Sequence, residues 1–264
     1  MLDRFDADRP LVGMVHLPPL PGAPRYDGDR AAVRERALTD ARALADGGID
    51  GLIVENFGDA PFYPEEVPDH VVAEMTALVG AVRAAVPAPV GVNVLRNDAT
   101  AAMSVAAATG AGFVRVNVHA GARVTDQGVT EGRAHETLRL RDRIDCEVGI
   151  LADVAVKHSA PLGRTDLAGA TRDLLERGLA DGVVVSGAGT GRAVDRERLA
   201  TVAAVAGEFG APTFVGSGVT PESAPDLLGV ADGAIVGSAL KEGGDPTAPV
   251  ARDRVADLVE AARG

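Results

Sequence analysis

Eight short Val- and Ile-rich runs alternate along this chain with stretches whose apolar residues recur at helical spacing. That alternation restricts the fold more than any other feature, because it is the signature of repeated βαβ units. The strand-like runs lie near 11–16, 51–56, 89–94, 112–118, 148–154, 182–186, 212–216 and 232–237. Helices are predicted near 30–46, 69–86, 99–109, 132–144, 166–178, 195–208, 221–228 and 248–262. A similar small turn precedes several strands: Gly47-Gly48-Ile49-Asp50-Gly51, Gly110-Ala111-Gly112, Ala180-Asp181-Gly182 and Ala231-Asp232-Gly233. Glycine there ends a helix by taking positive φ. The eight units fill residues 1–264 and leave no linker, so one domain is expected. An open Rossmann-type sheet also alternates, but it places a Gly-rich fingerprint after its first strand. Here that place holds Leu17-Pro18-Pro19-Leu20-Pro21-Gly22, a rigid loop. The expected fold is therefore α/β, a single (β/α)8 (TIM) barrel.

Composition agrees. Hydrophobic residues make up 46% of the 264 and aromatics only 3%, with no Trp. The core must be built from Val, Leu, Ile and Ala, which suits a parallel sheet buried on both faces. The formal net charge is -12. An acidic surface repels nucleic acid and anionic membrane, so neither is an expected partner. Lysine occurs only at Lys157 and Lys241, and every other base is Arg, which together with the excess of acid reads as adaptation to a high-salt cytoplasm. Cys146 stands alone, which points to a reducing compartment. Residues 1–10 are charged, and no run approaches the ~20 apolar residues of a membrane span. A cytoplasmic protein without a membrane span is expected.

In such a barrel the site lies at the C-terminal ends of the strands. Alternation along each strand then tells which side chains point inward. In the fourth strand Val114, Val116 and Val118 should meet the helices, while Arg115, Asn117 and His119 should face the interior. A buried Arg needs an anionic partner, and Glu55 is the candidate. The same reasoning marks His16, Glu55, Asn56, Asn93, Asp153 and Ser186 at the ends of their strands. Lys157 and His158 follow Asp153 closely. A lysine beside a carboxylate and a histidine suits a general acid, a phosphate clamp or, with a lowered pKa, a Schiff-base nucleophile. Imidazoles suit acid–base work near neutral pH. The expected catalytic pool is thus His16, Glu55, Asp153, Lys157 and His158. Asn56, Asn93, Arg115, Asn117, Ser186 and Thr190 are expected to contact substrate.

Gly216-Ser217-Gly218 follows the seventh strand, and Gly237-Ser238 follows the eighth. Amides of glycine-rich turns can cradle a phosphate, and these two loops commonly do so in (β/α)8 barrels. Gly216, Ser217, Gly218, Gly237 and Ser238 are therefore the expected phosphate-binding residues. The loops at 186–191 and 119–128 are lid candidates, and Arg123 is a candidate clamp for a second anionic group. No HExxH and no Cys/His cluster appears, so no dedicated metal site is expected. Mg2+ held by Glu55 or Asp153 together with a substrate phosphate is compatible with these residues. No organic cofactor is expected.

Residues 13–22 (GMVHLPPLPG), 55–59 (ENFGD), 115–117 (RVN), 153–158 (DVAVKH), 186–191 (SGAGTG), 216–218 (GSG) and 237–238 (GS) resemble the BtpA/SgcQ family over essentially the whole chain. The resemblance implies a barrel of the ribulose-phosphate-binding group. Its Gly-Ser turns look like the phosphate loops of tryptophan- and histidine-pathway barrels. The family takes one name from a factor for photosystem I accumulation in cyanobacteria, and relatives in other bacteria lie beside sugar-uptake and sugar-metabolism genes. This composition gives no reason to expect a photosystem. The expectation is an enzyme acting on a phosphorylated sugar or related phospho-metabolite, by isomerisation, aldol cleavage or glycosyl-bond chemistry. A non-catalytic assembly or stability factor is the alternative. A nucleotide- or nucleoside-processing enzyme is another; it would need a base-stacking surface, for which Phe57, Phe62 and Tyr63 are nearest. Barrels often associate, so a homo-oligomer is also expected.

Overall fold

The computed structural model describes residues 1–163, 166–187 and 194–264. In chain order the first elements are β1 (Leu11–His16), α1 (Arg30–Asp46), β2 (Gly51–Glu55), α2 (Asp69–Ala85), β3 (Val90–Asn93), α3 (Ala99–Thr109) and β4 (Phe113–Val116). A hairpin of β5 (Ala122–Thr125) and β6 (Gly128–Glu131) comes next, then α4 (Ala134–Arg143), β7 (Gly149–Asp153) and the two-residue β8 (Ala160–Pro161). The chain continues with α5 (Leu167–Arg172), β9 (Gly182–Val185), α6 (Arg196–Glu208), β10 (Thr213–Val215), α7 (Ala224–Leu228), β11 (Gly233–Val236) and α8 (Arg252–Arg263).

Eight of these strands close a barrel in the order β1-β2-β3-β4-β7-β9-β10-β11 and back to β1, all neighbours being parallel. They coincide with the eight runs read from the sequence. Helix starts follow local chemistry: Asp29, Asp98, Asp166 and Asp195 each accept from amides of the first helical turn, satisfying donors that have no acceptor within the helix. Helix α3 stops at Gly110, whose φ of 70° few other residues adopt.

Three details differ from the sequence reading. The loop after β4 is not featureless, because β5 and β6 pair antiparallel there and β8 joins them. Helix α5 covers only the start of the predicted 166–178 and passes into a π-helical turn at Asp173–Arg177. Helix α8 begins at Arg252, because residues 241–250 fold back instead, with Lys241 bridging to Val250.

Two apolar layers hold the barrel. Outward-facing residues such as Val54, Val92, Val114 and Ile150 meet the helices in one core. Inside, Val12, Ile53, Leu151, Val184 and Ile235 pack with Phe113, Phe214 and Phe5. The Phe5 ring sits 5.6 Å from that of Phe113 and 6.2 Å from that of Phe214. Two aromatic rings fit inside the barrel because their neighbours lack side chains. A Cβ on Gly91 would lie 2.3 Å from the ring of Phe113. Gly91→Ala is therefore expected to cost about 1–3 kcal/mol by overpacking, read as a lowered Tm. Adding Phe113→Leu should restore much of it; no recovery would place the strain elsewhere.

Candidate functional site

The strands deliver their terminal polar residues to one mouth, and the tightest arrangement there is around Asp153. Arg115 donates to it twice, Nε to Oδ2 at 3.0 Å and Nη2 to Oδ1 at 2.9 Å. Ser186 Oγ donates to Oδ1 at 3.2 Å, and Asn117 Nδ2 reaches Oδ2 at 3.4 Å. The partner of Arg115 is thus Asp153 and not Glu55. Topology explains the correction: Arg115 pairs in register with Leu151 on the adjacent β7, two residues before Asp153, whereas β3 separates β4 from β2. Burial alone would weaken the charge on Arg115; the carboxylate overrides it and holds the guanidinium more firmly protonated than usual. Both oxygens of Asp153 are thus engaged by donors.

The second group centres on His16 and Glu55. Glu55 Oε2 accepts from Asn93 Nδ2 at 2.6 Å, and Oε1 lies 3.7 Å from His16 Nε2. His16 Nδ1 is 2.9 Å from the Pro246 carbonyl. A carbonyl only accepts, so Nδ1 carries the hydrogen and Nε2 of the neutral ring bears the lone pair. Burial, reinforced by the charge of Lys241, pushes the His16 pKa down to about 3. Phe57 stacks on the imidazole, with centroids 4.3 Å apart. Nε2 and Glu55 Oε1 are then two hydrogen-bond acceptors close together, an arrangement that calls for donors from a ligand.

The loop carrying Pro246 is itself fixed. Lys241 Nζ is 3.2 Å from Asp40 Oδ2, both side chains being fully buried. Asp40 Oδ1 accepts from the Val250 amide, and Arg36 pairs with the same carboxylate. This clasp ties α1 to the 241–250 segment behind His16. Sequence reasoning missed it because nothing in local spacing links positions 40 and 241.

Two of the cavities at this mouth adjoin through shared lining residues. The larger, about 490 Å3, has an apolar side that includes Leu17, Phe57, Phe62 and Leu95, and a cationic side that includes Arg25, Arg36, Arg96 and Lys157. The smaller, about 220 Å3, is lined by 216–220 and 235–239, so the turns after β10 and β11 face each other across one space. His16, Arg115 and Lys157 line both. Gly218 takes φ of 70°, and a Cβ on Gly216 would lie 2.7 Å from Ser186 Oγ. Ser217 Oγ accepts from the Gly187 amide at 2.6 Å, joining the turn to the end of β9. Lys157 has its pKa lowered by burial and by the nearby Arg115. His158, also on the larger cavity, is lowered by partial burial and by Lys157.

Other expected residues sit elsewhere. Asn56 does not face the cavity: its Oδ1 accepts from the Leu95 amide and its Nδ2 donates to Asp59, bracing the loops after β2 and β3. Asn93 supports Glu55. His119 turns away from the mouth, its Nε2 lying 2.8 Å from the Gly178 carbonyl. Arg123 donates to Ser159 Oγ and lines a neighbouring cavity, with Lys157 and Ser186, in place of the one lined by Arg96. Thr190, with most of the 186–191 loop, lies outside the described residues. Arg96, Arg25 and Arg36 were not anticipated, because strand parity speaks only of residues on strands. Among the described residues no three His, Cys, Asp or Glu side chains gather as a metal cage, and no helix is long and apolar enough to cross a membrane.

A closed eight-stranded parallel barrel with helices between its strands makes this a (β/α)8-barrel protein, with polar groups gathered around cavities at its C-terminal mouth. The chain belongs to the BtpA family, whose model matches residues 7–264. It is 47% identical over 263 residues to the photosystem I biogenesis protein BtpA of a Synechocystis strain, covering 99% of this chain and 90% of that protein. It is also 47% identical over 255 residues to a Thermococcus kodakarensis protein, covering 97% and 95%. Among solved structures it is similar to thiamine phosphate pyrophosphorylase of Pyrococcus furiosus, with a TM-score of 0.60 at 14% identity, covering 97% and 96%. N-(5'-phosphoribosyl)anthranilate isomerase of the same organism gives 0.58 at 13%, covering 97% and 98%. Identities this low speak for the fold alone.

Proposed function

We propose that this protein is an enzyme that moves a proton on a small phosphorylated metabolite of sugar-phosphate type. One observation carries the reading: the two glycine-rich turns, the neutral His16 and the cations Arg115 and Lys157 line a single space of about 220 Å3. Main-chain amides of the turns and the Lys157 ammonium hold the phosphate. Glu55 takes and returns the proton, and His16 beside it, neutral at physiological pH with its Nε2 lone pair toward Glu55, accepts a hydrogen bond from the substrate and orients it. Asp153 holds Arg115 in place through two parallel hydrogen bonds, and Arg115 orients the substrate. Phe57 has one ring face on His16, which disfavours a base-stacking role and with it a nucleotide substrate. Isomerisation is the reaction this pair of acceptors fits best. Lys157, with its lowered pKa, also fits a Schiff base, and borohydride reduction with substrate bound separates the two: a stable adduct on Lys157 selects aldolase chemistry.

The relative's role in photosystem I biogenesis favours a second reading, an assembly factor on a barrel scaffold. Another relative, 34% identical over 250 residues, is a nematode protein, and a photosystem role does not extend to an animal.

The test is a thermal-shift comparison of sugar phosphates with the same sugars unphosphorylated, at low and at molar salt. At a hundredfold excess over Kd a ligand adds about 2.7 kcal/mol, a shift of several degrees in Tm. Only the phosphorylated members are expected to give it. Gly237→Val, which puts side-chain atoms into the smaller cavity, is expected to abolish it. Equal shifts from both members of each pair would remove the phosphate from the reading.

A further inference from the structure

The phosphate pocket leaves two cations of the larger cavity unexplained. Arg96 is only 5% exposed. Among the described residues its guanidinium has one hydrogen bond, to the neutral carbonyl of Lys157 at 2.9 Å. Among the described residues no carboxylate lies within ion-pair distance of Arg96, and the carboxylates that bear on its charge, Asp126, Glu55 and Asp153, act from further off. Arg25, on the exposed side of the same cavity, likewise has no ion pair. The contrast within the cavity is sharp: Arg115 is paired with Asp153 and Arg36 with Asp40.

A buried charge without a counter-charge is costly, and folded chains pair such groups. This chain has ample carboxylate for the purpose, its net charge being -12, yet none is placed on Arg96. Cations left unpaired on a concave, partly apolar wall attract anions from solution. Neither Arg96 nor Arg25 lines the smaller cavity, so the phosphate held on the glycine turns does not answer them.

Resting on the phosphate reading above, we infer that the ligand is bis-anionic: beyond the phosphate, a second oxyanion, carboxylate or phosphate, is held in the larger cavity by Arg96 with help from Arg25. A planar guanidinium fork suits either oxyanion. His16, Arg115 and Lys157 stand between the two anchors, since they line both cavities. A skeleton anchored at both ends therefore passes His16. The volume of about 490 Å3 admits one of sugar size. Arg123, the clamp suggested by the sequence, is replaced in that role by Arg96.

Matched pairs test this by calorimetric titration of the full chain. Glucose 6-phosphate against 6-phosphogluconate adds a carboxylate to one skeleton. Ribulose 5-phosphate against ribulose 1,5-bisphosphate adds a phosphate. In at least one pair the bis-anion is expected to bind about tenfold or more tightly, and the pair that shows it tells carboxylate from phosphate. Arg96→Met is expected to bring the members of that pair to within about twofold of each other, and Arg25→Gln to narrow the gap several-fold. Loss of the preference in either variant supports the assignment, so a poorly folding Arg96→Met does not decide it. Equal binding within both pairs, or a preference unchanged in both variants, overturns the second anion and leaves the phosphate site standing. If no member of either pair binds, the phosphate reading falls and this inference with it.

Discussion

Asp153→Ala is expected to lower the stability of the fold by about 3–5 kcal/mol, the usual cost of removing one partner of a buried ion pair. For a chain of about this size that is a drop in Tm on the order of 10 °C. The magnitude follows from what the substitution leaves behind. Arg115 is 2% exposed, and Asp153 is the carboxylate it is paired with. Without it the guanidinium remains charged inside the barrel, and Ser186 and Asn117 lose an acceptor as well. Replacing both partners together, as Arg115→Met with Asp153→Leu, removes the stranded charge and is expected to recover most of the loss, because apolar groups of similar volume are often neutral or stabilising at such sites. Denaturant or thermal unfolding of the single and double variants checks this. A single variant within 1 kcal/mol of wild type, or a double variant no better than the single, would mean that the pair does not hold Arg115. The double variant is still expected to lose activity, which separates positioning from mere support.

That pair shows how far sequence reaches. Parity along β4 placed Arg115 inward, and the demand for an anion followed from burial. Which carboxylate answers depends on strand order and register, which a residue's own neighbours do not encode; Glu55 was the candidate, and it is the order of the strands, with β3 between β2 and β4, that brings Asp153 instead. That the two glycine turns meet at one space was legible because the loops after the last two strands of a barrel open at the same end. Arg96 and Arg25 were not, because they lie in loops where no periodicity says which way a side chain points. Asn56 was misjudged for a related reason: a polar residue at a strand end can serve the neighbouring loop as readily as a ligand, and here it hydrogen-bonds to Leu95 and Asp59. The β5–β6 ribbon escaped because its strands are mostly exposed or half-buried and carry Arg, Thr and Glu in place of the buried apolar runs that mark the barrel strands.

Acid is expected to weaken this fold through His16 alone by about 1.4 kcal/mol for each unit below pH 6.5. In the unfolded chain the imidazole takes a proton near pH 6.5; in the fold it stays neutral down to about 3. Between those values the unfolded state binds a proton that the native site refuses, so stability falls as pH falls and the loss levels off near 3. Above 6.5 both states are neutral and the residue adds no pH dependence. Carboxylates add acid sensitivity of their own below about pH 5, so the informative window is 6.5 to 5, where His16 contributes about 2 kcal/mol. His119 and His158 are shifted in the same direction, and comparison with His16→Gln isolates the one residue. Stability measured across that window is expected to fall more steeply in wild type than in His16→Gln. Equal slopes would mean that the ring is open to protons. The same property bears on the site: a ring that resists protonation keeps its lone pair below pH 6, so the hydrogen bond it accepts from a ligand is expected to persist there, with no change near the ordinary histidine pKa.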